Sequence, residues 1–249
     1  MENFVLSHLE PGNVFRFFEE LSRIPRESGH TDAVSAWVED FARARSLRCR
    51  RDELGNVVIW KDASPGYEGH PAVILQGHTD MVCVQSPGTD HDFEKDPLTL
   101  VLDGDWLRAE NTTLGGDDGA AVAMMLALLD DDAIPHPPIE AVFTVDEEIG
   151  LLGAAGLDCS DLEGRMLINL DSEDEGVLTV GCAGGARCDL ALSLPLRPAS
   201  GKLCTLELTG LPGGHSGAEI HKNIPNANRV LAQCLQALPD ARLVSLCGG

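Results

Sequence analysis

The sequence is short of positive charge. Eighteen lysines and arginines stand against forty aspartates and glutamates in 249 residues, a formal charge of −22 at pH 7. Such a chain repels a phosphate backbone and an anionic lipid surface alike, so neither nucleic acid nor a membrane is an expected partner. It also lacks any apolar stretch approaching the ~20 residues that span a bilayer. The opening Met1-Glu2-Asn3-Phe4 has no basic region leading into an apolar one, so no export signal is read there and a cytoplasmic location is expected. No C-x-x-C pair occurs among the eight cysteines, which read as reduced, mostly buried thiols. Internal repeats and low-complexity segments are absent as well.

What remains is ordinary globular material, 43% hydrophobic and 23% charged, enough for a packed core. The length suits one large domain, or one domain and part of another. Phe15, Phe18 and Leu21, then Ala33, Trp37, Phe41 and Ala44, recur at helical spacing and predict two opening amphipathic helices. Val122, Met125, Leu126 and Leu129 predict a third, beginning just after Asp117-Asp118-Gly119. Apolar runs at 56–60, 72–75, 139–145 and 166–170 predict strands. Strands alternating with helices indicate an α/β sheet with helices on its faces. From about Ala186 the texture changes to alternating runs at 188–196 and 202–209, a helix near 227–238 and a strand at 242–247. These boundaries give a first domain at 1–185 and a second at 186–249.

Ligands of open α/β sheets bind outside the carboxyl ends of the strands, and here three strands end in acids or histidine. Gln76-Gly77-His78-Thr79-Asp80 follows the second run, Asp146-Glu147-Glu148 the third, and Asp171 the fourth. His78 and Asp80 are two apart, so in extended chain they point the same way, and a carboxylate beside an imidazole makes it a better metal ligand. At a strand end one of Glu147 and Glu148 can coordinate a cation while its neighbour holds a water, a division that suits hydrolysis. Gly115-Gly116-Asp117-Asp118-Gly119 places two acids at a helix mouth, where Asp118 serves as a cap or first-turn acid and Asp117 is left over. A carboxylate can bridge two cations ~3.5–4 Å apart. Each motif alone also has a plain structural reading, as a hydrogen-bonded loop pair, a solvated acidic turn or a glycine turn around His215.

Together these strings, with Thr144–Gly150, Asn169–Glu173 and Gly213-Gly214-His215-Ser216-Gly217, stand in the order found in zinc exopeptidases of the aminoacylase and carboxypeptidase type. Glu175-Gly176 and Gly181-Cys182-Ala183-Gly184-Gly185 resemble the aminoacyl-histidine dipeptidase branch of that family. The resemblance implies a phosphorylase/hydrolase-like catalytic sheet and the start of an α+β lid domain. It implies two divalent metal ions, zinc with cobalt or manganese as alternatives. His78 and Asp171 would hold one ion, Glu148 the other, and Asp117 would bridge them. Asp80 would support His78, Glu147 would be general base and acid, and His215 would stabilise the oxyanion. The implied substrate is a dipeptide, of the Xaa-His kind, and the implied assembly of the full-length protein is a homodimer. The bond between Asp117 and Asp118 is expected to be cis.

Relatives complete the second metal site with a histidine near their C-terminus, whereas the last of the eight histidines here is His221, in the lid motif. Gly248-Gly249 ends the chain directly after a strand, so the sequence reads as truncated and is expected to hold one ion well and to turn over slowly or not at all. Three competing readings stand beside this one. One is a related aminoacylase or carboxypeptidase acting on N-acyl amino acids, and another a non-catalytic metal-binding homologue. The third, a serine hydrolase through Ser216, meets Ala218 where a nucleophile elbow needs glycine.

Overall fold

A computed structural model describes residues 4–172, 175–182, 184, 188–193, 195, 197, 198, 200–213, 220–238 and 240–246. The chain divides into two units, 1–177 and 178–249. The first unit is α/β. Its sheet has the order β1-β2-β6-β3-β7, formed by β1 (Arg48–Arg51), β2 (Val57–Lys61), β6 (Ile139–Thr144), β3 (Val73–His78) and β7 (Met166–Asn169). β6, β3 and β7 run parallel, while β2 joins β6 antiparallel and β1 joins β2 antiparallel on the outer side. A separate hairpin joins β4 (Leu100–Asp103) to β5 (Trp106–Ala109).

Alternation along the strands decides the two faces. Val57, Ile59, Leu75, Ala141 and Phe143 enter one large core with residues of α1 (Gly12–Leu21), α2 (Asp32–Ala44) and α3 (Gly116–Asp130). Phe17 and Phe41 meet edge to face there, with ring centroids 5.4 Å apart. Val58, Ile74 and Val142 point the other way, toward Leu157 and Leu162 in the segment after the short helix α4 (Leu152–Gly156). The strand β7 closes the sheet with both of its faces exposed, Met166, Leu167 and Ile168 all being exposed.

Gly77 lets the sheet and α3 come together. A Cβ there would lie 2.7 Å from Asp118 Oδ2 and 3.0 Å from Ala121 Cβ, so the N-terminus of α3 can cross β3 only over a bare backbone.

In the second unit the sequence expectations need correction. The described residues of 188–196, 202–209 and 242–247 form no strand, so their apolar side chains, Leu190, Leu192 and Leu203 among them, stay exposed. Alternation offers one apolar face, but without a paired neighbour the backbone hydrogen bonds of a strand are not made. The expected helix is present as α5 (Ala227–Gln236), capped by Asn226, whose side chain accepts from the Arg229 N–H at 2.9 Å. The cysteines also differ from expectation. Among the described ones Cys49 and Cys83 are half-buried and five are exposed; all seven are free thiols. Several sit in runs that do not become strands, which removes the burial that strand packing would supply. No helix among the described residues is long and apolar enough to cross a membrane.

Candidate metal centre

Strand register brings the candidate residues level. Gln76 pairs with Asn169 and His78 with Thr144, so Asp171 lies two residues past its pairing point, beside His78, and Asp146-Glu147-Glu148 leaves the sheet beside Thr79 and Asp80. Backbone bonds continue the alignment beyond the strands: the Leu170 N–H donates to Gln76 O at 2.9 Å and the Thr79 N–H to Thr144 O at 2.8 Å. Three parallel strands thus deliver four ligand-type side chains to one edge of the sheet.

Asp80, 0% exposed, joins these segments. Its Oδ1 faces His78 Nδ1 at 3.3 Å and accepts from the Glu147 N–H at 3.1 Å. Its Oδ2 accepts from Ser28 Oγ at 2.7 Å and from the Glu148 N–H at 3.3 Å. Asp146 takes a left-handed backbone, φ 55°, which turns both of those N–H groups toward the carboxylate. Burial pushes Asp80 upward, but the hydrogen bonds from His78, Ser28 and the Glu147 N–H hold it below the usual carboxylate range.

The helix mouth supplies the opposite wall. Gly115, at φ 64°, turns the chain into α3, and the bond between Asp117 and Asp118 is cis. Both aspartates depart from helical angles inside the first turn. Asp117 Oδ1 reaches His78 Nε2 at 2.9 Å. Asp118 is buried, and its Oδ2 accepts from the His78 backbone N–H at 3.0 Å. The sequence reading assigned Asp118 to the helix; in the structure it is a first-turn acid whose oxygen serves β3 instead.

The ring of His78, 1% exposed, is therefore held at both nitrogens by acceptors. Burial alone would lower its pKa, but the hydrogen bonds to Asp117 and Asp80 raise it to about 11. Asp118 is raised to about 7, first by burial and then by the charges of Asp171 and Asp117 against the opposing His78. Glu147 is raised by burial, with Asp171, Asp80 and Asp117 adding to it, and Glu148 by burial and then Asp117. Carboxylates crowded this closely repel one another, and a divalent cation among them would remove the penalty.

The donor set fits such an ion. One ligand atom from each of His78, Asp118 and Asp171 lies within 4.8 Å of the others, and the same holds for His78, Glu147 and Glu148. Imidazole nitrogen with carboxylate oxygen suits zinc, cobalt and manganese. With Nδ1 taken by Asp80, Nε2, which lies 2.9 Å from Asp117 Oδ1, is the nitrogen that would serve a cation.

The structure brings together His78, Asp80, Asp117, Glu147, Glu148 and Asp171, all named from the sequence. It adds Asp118 and Ser28. Asp118 could have been found as the second acid of its glycine-flanked pair; Ser28 left no signal beyond a polar cluster before α2. His215 and Ser216 lie outside the described residues.

With that geometry in place, likeness to known proteins becomes informative. The chain matches no family model. It is 40% identical over 249 residues to the cytosol non-specific dipeptidase of Escherichia coli, a match covering 98% of this chain and 51% of that protein. The chain thus spans about half the length of that curated relative. The dipeptidase likeness extends to the fold: a crystal structure of aminoacylhistidine dipeptidase from Vibrio alginolyticus aligns at a TM-score of 0.67 and 43% identity, over 69% of this chain and 35% of that one. A tripeptidase from Staphylococcus aureus aligns at a TM-score of 0.55 and 26% identity, over 65% of this chain and 43% of that one.

Proposed function

We propose that this chain carries the catalytic centre of a metal-dependent dipeptidase acting on Xaa-His substrates, with Glu147 as general base and acid. The observation that carries the reading is a buried carboxylate, Asp80, that orients a histidine with its side chain and aligns two adjacent glutamates through their N–H groups. A non-catalytic metal binder has no need for a second glutamate beside the ligand.

His78 and Asp171 would hold one divalent ion, Glu148 the other, and Asp117 would bridge them, zinc being the expected metal. A cation in such a site lowers the pKa of water toward ~7 and polarises a carbonyl. Glu147 then receives the proton released as water attacks the scissile carbonyl and delivers it to the departing amine. His215 would stabilise the oxyanion, and the full-length protein would be a homodimer. The names of the two dipeptidase relatives support dipeptides as the substrate class, and the Vibrio enzyme's name supports histidine at the second position. A cytoplasmic location accords with the Escherichia coli relative's name.

The test offers the zinc-loaded full-length protein a panel of Xaa-His dipeptides, other dipeptides and N-acyl amino acids, and quantifies the released amino acid. Release from Xaa-His above the rest is expected; preference for N-acyl amino acids would move the assignment to the acylase side of the family. Glu147→Gln should retain metal and lower hydrolysis by about 10²–10⁴-fold. Hydrolysis at the wild-type rate in that variant would remove Glu147 from the role.

A further inference from the structure

The loop between α1 and α2 contributes a cation that none of the ligand motifs contains. Arg26 is 2% exposed, and its guanidinium lies between the two walls of the metal centre. Nη1 donates to the carbonyls of Thr79 at 3.0 Å and Asp80 at 3.3 Å; Nη2 donates to the carbonyl of Gly115 at 2.6 Å. The first two carbonyls belong to the segment that presents His78 and Asp80, the third to the turn that presents Asp117 and Asp118. A planar fork of fixed geometry therefore spans both.

The glycines of the helix mouth are shaped around it. A Cβ on Gly115 would stand 2.3 Å from Nη2, and one on Gly119 would stand 2.9 Å from it. The same loop is anchored on either side of the guanidinium. The Met81 N–H donates to Arg26 O at 3.1 Å, Ser28 Oγ reaches Asp80, and the Gly29 N–H donates to Asp146 Oδ1 at 2.7 Å. Three of the four ligand-bearing segments, those of His78, Asp117 and Glu148, thus bond to residues 26–29. Burial lowers Arg26 to about 10 while Asp80, Asp118 and Asp117 oppose this, so the guanidinium stays charged at neutral pH and offsets part of the acidic crowding.

We propose that Arg26 is a positioning residue that sets the spacing between His78 and Asp117 by joining the carbonyls of Thr79 and Asp80 to that of Gly115. The inference rests on the reading of this cluster as a metal centre. Losing a group that orients ligands costs about 10–100-fold in metal affinity. Arg26→Lys keeps a buried charge but cannot reach both walls as a fork, whereas Arg26→Met removes charge and fork together.

The experiment measures cobalt(II) and zinc affinity of the whole chain by chelator competition, with the visible absorption of bound cobalt as reporter of ligand geometry and circular dichroism as reporter of folding. Both variants are expected to fold, to bind cobalt about 10–100-fold more weakly, and to show an altered cobalt spectrum, with lysine restoring affinity only in part. Wild-type affinity and spectrum in folded Arg26→Lys would overturn the proposal. So would loss of the folded state in both variants, which would make Arg26 a general element of the core. If the wild-type chain takes up no cobalt, the metal-centre reading itself fails, and the clamp with it.

Discussion

His78 and Asp80 are joined twice: the imidazole Nδ1 lies 3.3 Å from the Asp80 carboxylate and 3.1 Å from the Asp80 carbonyl oxygen. One residue thus fixes both the charge beside the ring and the plane in which the ring lies. Asp80→Asn should keep the shape but weaken the imidazole as a ligand and disturb the N–H groups of Glu147 and Glu148. Zinc affinity is expected to fall about 10–100-fold, measured by competition with a chromophoric chelator. Unchanged affinity would mean that the carboxylate only packs.

Gly77 separates β3 from α3 with no side chain between them. In Gly77→Ala the new methyl meets Asp118 Oδ2 and Ala121 Cβ at distances that ordinary packing does not allow. A loss of about 1–3 kcal/mol is expected from forcing extra volume into a packed site, read as a lowered denaturant midpoint. Because the displaced atom belongs to Asp118, metal affinity should fall in the same variant; a midpoint equal to wild type would show that the helix yields without cost.

The metal-free protein should lose stability as pH rises through neutrality. Asp118 binds its proton more tightly in the folded state, about 7 against an ordinary 3.8, so its contribution declines between those values and is gone above about 7. His78 is raised from 6.5 to about 11, so its contribution is complete below pH 6.5 and is lost as pH climbs toward 11. Both slopes run the same way. Thermal melting in chelator from pH 5 to 10, a range chosen to bracket about 7, should show a falling midpoint, and saturating zinc should flatten the slope by taking the proton's place. A midpoint that rises toward alkaline pH would contradict the coupling of His78 to its acids.

On the proposed assignment the ligands would divide unequally between two ions: His78, Asp171 and a shared Asp117 would hold one, with Asp118 close to His78 and Asp171, while the other would have Glu148 and that same Asp117. Titration of this chain with zinc, followed calorimetrically, should show one tight and one weak equivalent. His78→Ala should remove the tight one and Glu148→Gln the weak one. Two equal tight sites in the wild-type chain would require a further donor.

Much of the sheet could be read from the chain alone, because β2, β3, β6 and β7 are apolar runs bounded by charge or turn residues. Strand β1 could not. Arg48-Cys49-Arg50-Arg51 has no strand-like apolar pattern, and it pairs with β2 while Arg50 meets Asp161 and Arg51 meets Asp32, partners far along the chain. The hairpin of β4 and β5 escaped for a related reason, its short strands mixing charge and apolar residues at the margin of the core. In the second unit the error ran the other way: alternating runs suggested strands, but alternation supplies only a face and not a partner.

The candidate ligands could be named because metal chemistry restricts residue types, and because the motifs stand in an order that resembles a known family. The identities of His78, Asp117, Glu147, Glu148 and Asp171, and the order in which they occur, were therefore determined by the sequence itself. Only the tertiary structure decided which of two neighbouring aspartates is buried, which nitrogen of His78 faces outward, and that Arg26 holds the two walls together. Those matters turn on hydrogen bonds between groups 39, 40, 53 and 89 residues apart, and no local pattern of side chains encodes a contact with a distant carbonyl.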